Sequence, residues 1–286
     1  MEVKQEMPLD IPMIDRARRV PWWALIIVAT GFFLLYLILA DTNYRETFLY
    51  LKNGIIVTLR ITLLAFPIAT VIGLITGLMR TSKNIIPYTI ATLYVEVIRG
   101  IPMVVLILMV AFAIVPIVVD AIQALGKWGL AQFGEAALGG LFVDFNTFSI
   151  RSISTELRFV VAIAIGYGAF EAEIFRAGIQ SISRGQMEAA RSLGMSYFQA
   201  MRFIILPQAV RRVLPPLGND FIAMLKDSSL ATVLAVNELT QLTRLRRSST
   251  FRVMEAFNVA AFLYLSMTLV LSAVVRLLEQ RMRIEE

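Results

Sequence analysis

The chain has 286 residues, 58% of them hydrophobic and only 17% charged, with a mean hydropathy of +0.73 and a formal net charge of +6. Soluble domains carry about a quarter charged residues, so the composition is that of a polytopic membrane protein, with basic residues read as cytoplasmic flanks rather than a nucleic-acid surface. Histidine and cysteine are absent, which removes disulfides, thiol nucleophiles, imidazole bases and most transition-metal sites.

Residues 1–21 are polar, carry Lys4, Arg16, Arg18 and Arg19, and lack a cleavable signal. They are expected in the cytoplasm. The first span, Trp22 to Ala40, then runs outward, with Trp22 and Trp23 at the interface. After the polar stretch Asp41 to Asn53, a second span, Gly54 to Met79, returns and ends at Arg80 and Lys83. Arg60 either snorkels or faces a pathway. Gly73 and Gly77 offer a close helix contact.

The third span is expected from Tyr94 to Val115. Glu96 and Arg99, three residues apart, share a helix face and can neutralise each other, and Gly100-Ile101-Pro102 opens or kinks the helix. Residues 116–157 form an extracytoplasmic segment, in which Asp120 to Leu138 reads as a surface or re-entrant helix. The fourth span, Arg158 to about Ile179, carries Glu171 and Glu173. The fifth, about Phe203 to Val236, is interrupted at Leu214–Asp220 ("LPPLGND") and at Lys226–Ser229 ("KDSS"), where Lys226 and Asp227 read as a pair. A polar outside loop, Asn237 to Arg252, precedes the last span, Ala256 to Leu278, and an inside tail with Arg276, Arg281 and Arg283. The expected fold is all-α, with about six transmembrane helices and both termini cytoplasmic. One feature conflicts with it: Arg244, Arg246, Arg247 and Arg252 are many cations for an outside loop.

Between the fourth and fifth spans, 183–202 is a polar interruption. Ser183 to Ala200 reads as a loop and a short amphipathic helix, with Ala189 and Ala190 keeping one surface slim and Gly194 ending it. A second segment from Ser196 carries Tyr197, Phe198, Met201 and Phe203 into the membrane. By itself this stretch is either a connector or a dock for another protein.

The stretch "EAARSLGMSYFQAMRFIILP", Glu188 to Pro207, resembles the EAA loop of ABC-importer permeases: Glu188, Ala189, Ala190, Gly194, Ile204, Leu206 and Pro207 match its pattern. "YVEVIRGIP", "AEIFRAGIQSISRGQ", "LPQAVRRVLPPLGNDFIAMLKDSSL" and "NELT" are similar to the polar amino-acid subgroup, the histidine and glutamine permeases. The likeness runs from about Gly54 to Arg283, leaving out residues 116–157, and makes 22–40 an extra helix on a five-span core. Met187, Phe170 and Ser228 depart from the subgroup's usual residues.

That resemblance implies a permease that pairs as a homo- or heterodimer with two ATPase subunits beneath and an extracytoplasmic binding protein above, in a bacterial inner membrane. Glu188, Ala189, Ala190, Arg191 and Gly194 would contact an ATPase subunit. ATP and magnesium would reside on that partner, since this chain lacks a phosphate-binding Gly-x-x-x-x-Gly-Lys-Ser/Thr, and no cofactor, metal or catalytic residue is expected here. For an amino acid, Arg99 could fork onto the carboxylate, Glu96 or Asp220 could hold the ammonium, Asn219 could add hydrogen bonds and Glu171 could tune preference. Glu96–Arg99 also reads as a structural pair, as does Glu173 with Arg176. An ion-coupled carrier and a membrane-embedded enzyme are the competing classes. The carrier needs no ATPase-docking loop, and the absence of histidine, cysteine and any paired catalytic motif argues against the enzyme.

Overall fold

The computed structural model describes residues 22–133 and 139–282. The basic cluster within 1–21, residues 134–138 of the expected Asp120–Leu138 helix, and Arg283 lie outside them. Among the described residues every long element is helical, in keeping with the expected class.

Helix α1 (Trp22–Ala40) is apolar all round, buries Ile38, and packs against the helices Thr42–Arg80 and Val253–Met282. Asp41 then caps α2 (Thr42–Arg80), its carboxylate accepting from the Asn43 and Tyr44 amides at 2.8 and 3.1 Å. At 39 residues, α2 is about 58 Å long and runs through Pro67 as the central strut. Next come α3 (Ile85–Gly100), α4 (Met103–Phe133, with a π segment at Val110–Ile114), α5 (Gly139–Thr147) and α6 (Thr155–Gln180). After these follow α7 (Arg184–Ser192), α8 (Tyr197–Ala200), α9 (Leu206–Asp227), α10 (Leu239–Thr250) and α11 (Val253–Met282).

The α2–α6 pair forms the core. Leu106, Ile107, Val110, Phe159, Ile163 and Tyr167 pack there against Ile61, Ala65 and Ala69. The two helices approach closely because α2 presents no side chain at two positions. A Cβ on Gly73 would stand 2.7 Å from the Glu171 Cβ, and one on Gly77 would stand 2.8 Å from the Ala172 carbonyl and the Phe175 Cβ. The expected close contact is therefore present. Gly77→Val is expected to destabilise the fold by about 1–3 kcal/mol through overpacking. Gly31→Val, in open space on α1, should leave the unfolding midpoint in detergent in place; equal midpoints for the two variants would refute the close-contact account.

Among the described residues four helices are long and apolar enough to cross a membrane: α1, α2, α4 and α11. The other two expected spans correspond to α6 and α9, which are more polar and hold their charges against neighbouring helices. The expected opening at Gly100-Ile101-Pro102 is present, the extended residues Ile101 and Pro102 separating α3 from α4 within Tyr94–Val115. Several boundaries need correction. Helix α4 continues unbroken to Phe133, so the expected separate helix from Asp120 is its second half. This half folds back through α5 as a hairpin in which Gly129 seats the Phe142 ring. The "LPPLGND" stretch does not interrupt anything, since Pro215 and Pro216 lie inside α9. The break comes later, at a 3₁₀ turn from Ser228 to Leu234.

The expected loop Asn237–Arg252 is mostly helix α10. Glu238 starts it: the buried carboxylate accepts from the Thr240 and Gln241 amides, each at 2.7 Å, and from the Tyr264 hydroxyl at 2.9 Å. Burial pushes that carboxyl's pKa upward, against the pull of these hydrogen bonds. Arg60 grips Glu156 of α6 with two hydrogen bonds of 2.5 and 2.7 Å.

Candidate functional site

Helix α6 ends at Ser181, whose carbonyl accepts from Arg212 at 2.5 Å, and the chain turns through Ser183 into α7. The far end of α7 closes as a Schellman turn: the Met195 amide donates to the Ala190 carbonyl and the Gly194 amide to that of Arg191. Such a turn needs a left-handed residue, and Gly194 supplies it at φ +82°. Ser196 then opens α8 with a capping box to Gln199.

Of the five residues expected to meet a partner, Glu188, Ala189, Arg191 and Gly194 are exposed, whereas Ala190 is 5% exposed and turned inward. Two residues not selected from the sequence stand out beside them: Leu193 is 84% exposed and Phe198 82%. The sequence reading sent Tyr197 and Phe198 into the membrane with the next span. They flank the Gly194 turn at the start of the expected segment from Ser196, which runs on through a π segment at Met201–Ile205 into α9. An apolar residue next to a C-terminal glycine was the available signal.

Above this turn lies a cationic network around one carboxylate. Glu173 of α6 is bound by Arg80 from α2, by Arg176 at 2.7 Å and by Arg99 of α3 at 3.5 Å. Arg99 also lies over the Phe170 ring, 5.6 Å from its centre. Glu96 faces Arg80 at 3.5 Å. The expected Glu96–Arg99 pair therefore gives way to a three-helix network in which Arg99 reaches a partner 74 positions away. The Glu173–Arg176 pair stands within it.

Deeper in the bundle, α6 and α9 carry a second, acidic group. Glu171 is fully buried and lies within electrostatic reach of Asp220 and of the Thr70 hydroxyl. Thr70 Oγ1, both Glu171 carboxylate oxygens and Asp220 Oδ2 are buried without a hydrogen-bond partner among the described residues. Tyr167 donates to Asp227 at 2.8 Å, so Asp227 is held by this tyrosine rather than by the exposed Lys226. Asn219, next to Asp220, faces outward. A cavity of about 410 Å³ adjoins the group through Thr70, lined by Phe66, Leu217, Gly218, Phe221 and Val275 from α2, α9 and α11. Of the expected substrate residues, Glu171 and Asp220 thus come together, Glu96 and Arg99 belong to the Glu173 network, and Asn219 stands apart. Thr70, Tyr167 and Asp227 were missed: no local pattern distinguishes a hydroxyl that faces a carboxylate from one that back-bonds to its own helix.

Residues 69–284 match the family model for the binding-protein-dependent transport system inner membrane component. The chain belongs to that family. The permease is 37% identical over 234 residues to the glutamine transport system permease protein GlnP of Escherichia coli K12, covering 82% of this chain and 93% of that one. To the nopaline transport system permease protein NocM of Agrobacterium fabrum it is 34% identical over 235 residues, covering 82% and 88%. Among solved structures it resembles an amino acid ABC transporter crystallised with histidines, at 36% identity and a TM-score of 0.66, covering 85% of this chain and 98% of that one. The protein is accordingly a multi-pass inner-membrane permease subunit of an ABC importer. This membership displaces the ion-coupled carrier as a reading. The matched residues contain α7, the Glu173 network and the buried acidic group, while α1 lies before them.

Proposed function

We propose that this permease carries polar amino acids inward, acting with a second permease subunit, two ATPase subunits and an extracytoplasmic binding protein. The observation that carries the reading is the exposed Glu188–Gly194 turn, a rigid charged helix end held at the tip of α6 and offered to a partner. ATP and magnesium belong to the ATPase subunits in this reading, and this chain binds no cofactor. Both termini lie on the cytoplasmic side with α7, as the basic residues within 1–21 favour.

The interior suits an amino acid's ammonium group. Glu171, Asp220 and Asp227 surround Tyr167 in a water-poor bundle where an unpaired carboxylate is costly. A cation passing at that depth would relieve them. Arg99, with Glu96 beside it, supplies the positive charge for the carboxylate end once its contact with Glu173 opens, and Asn219 provides neutral hydrogen bonds along α9. The names of the relatives, glutamine and nopaline permeases, agree with a substrate bearing both groups.

The test is reconstitution into proteoliposomes with the ATPase and binding-protein partners, followed by uptake of labelled glutamine, glutamate, histidine and arginine. Uptake should require ATP on the ATPase side; uptake that follows a proton or sodium gradient without ATP would overturn the reading. Glu171→Gln keeps the shape and removes the charge. Losing an ionic contact of about 1.5–3 kcal/mol should lower uptake at least about tenfold while the ATPase subunits stay attached.

A further inference from the structure

The end of the bundle farthest from α7 carries a knuckle that the transport reading leaves unused. Between α10 and α11 the chain turns at Phe251, whose φ is +57° and whose side chain is 88% exposed. A bulky aromatic in the left-handed region is a backbone outlier held only where its surroundings over-determine it. Here they do. The Phe251 amide donates to the Arg247 carbonyl at 2.8 Å, Thr250 Oγ1 to the Arg246 carbonyl at 2.8 Å, and Arg252 to Asn43 of α2. Arg246 pairs with Glu46 at 3.0 Å and lies over the Tyr50 ring.

Around this fixed aromatic cations outnumber carboxylates, of which Glu46 is paired with Arg246 and Glu255 lies in the first turn of α11. Arg244, Arg247 and Arg252 are exposed, and none of them makes an ion pair among the described residues. Among the described residues the Arg244 side chain bonds the Thr232 hydroxyl, at 3.1 Å. Val253 and Met254 extend the apolar surface beside Phe251. Cations on the outer side work against membrane insertion rules, so their retention has another reason. The irregular backbone at Phe251–Arg252 places the knuckle in water beyond the hydrocarbon layer. It is anchored at Asn43 and Glu46, while the other end of α2, Arg80, meets Glu173 on the helix that leads into α7. Asn43, which anchors the knuckle, and Arg80, which meets the helix leading into the coupling turn, are therefore about 55 Å apart along one rod.

We propose that the Phe251 knuckle is the docking point for the extracytoplasmic binding protein, taking an acidic patch on Arg244, Arg247 and Arg252 and an apolar socket over Phe251. It rests on the importer reading above, which puts α7 inside and α10 outside. An exposed, rigid aromatic ringed by arginines is the composition of an interface hot spot, and unpaired rim cations steer an acidic partner.

The experiment uses the full reconstituted transporter and the binding protein that restores its uptake; failure to find any such protein would sink the importer reading itself. With that protein in hand, Phe251→Gly removes the aromatic while relieving the left-handed strain, so the variant should fold at least as well. Phe251→Gly and Arg247→Glu should each raise the half-saturating concentration of binding protein at least about tenfold. Uptake at saturation and ATPase activity without binding protein should stay put. A lysine scan of the binding protein's acidic surface should find a position that rescues Arg247→Glu. Unchanged half-saturation in both variants overturns the proposal. So does an effect that vanishes in purely zwitterionic vesicles, which would assign the knuckle to anionic headgroups.

Discussion

Glu188→Lys combined with Gly194→Val is expected to abolish ATP-driven uptake, with at least a tenfold weaker hold on the ATPase subunits and an intact membrane bundle. Removing one partner of a desolvated charge pair costs about 2–5 kcal/mol, and each 1.4 kcal/mol is tenfold in affinity. The valine adds a left-handed penalty of about 1–2 kcal/mol, because Gly194 holds φ +82°, and so disturbs the turn that presents Leu193 and Phe198. Neither residue packs in the core: Glu188 is exposed and a Cβ on Gly194 meets nothing within 4 Å. Uptake counts and co-purification measure the two halves separately. Normal uptake by the double variant would remove α7 from the coupling path.

The largest loss of stability from one substitution outside the apolar core is expected at Glu173. Glu173→Ala strands three guanidiniums, and that of Arg80 is only 9% exposed. Breaking a buried pair by removing one partner costs about 3–5 kcal/mol, reduced here to the extent that Arg99 and Arg176 reach water. Glu96→Ala is the control, since its side chain is 66% exposed and surface pairs contribute about 0–1 kcal/mol. Thermal unfolding in detergent compares them, and equal midpoints would show that Glu173 is not the hub.

Features carried by local rules were legible in the sequence. Gly194 as a helix end, Ser196 as a new start, and the four-residue spacing of Gly73 and Gly77 all follow from backbone and packing constraints within a few residues. Pairings across helices were not. Arg99 has Glu96 one turn away, yet bonds Glu173, because α3 and α6 lie side by side and the Phe170 ring steers the guanidinium. Arg60 and Glu156 meet across 96 positions for a similar reason. The continuity of α9 was also hidden: two prolines signal a break, and only packing of Val213, Leu217 and Ile222 against neighbours holds the helix through them. Helix α10 read as a loop since its polar sequence hides the capping carboxylate of Glu238.

Those two prolines have a mechanical consequence. Pro215 and Pro216 donate no backbone hydrogen bond, so the carbonyls of Arg211 and Arg212 lose their partners one turn later. Helix α9 therefore lacks two adjacent rungs between its junction with the coupling turn and the depth of Asp220. A rod with missing rungs is least stiff there, and α9 joins its two ends through a compliant link where α2, with only Pro67 in its length, is a strut.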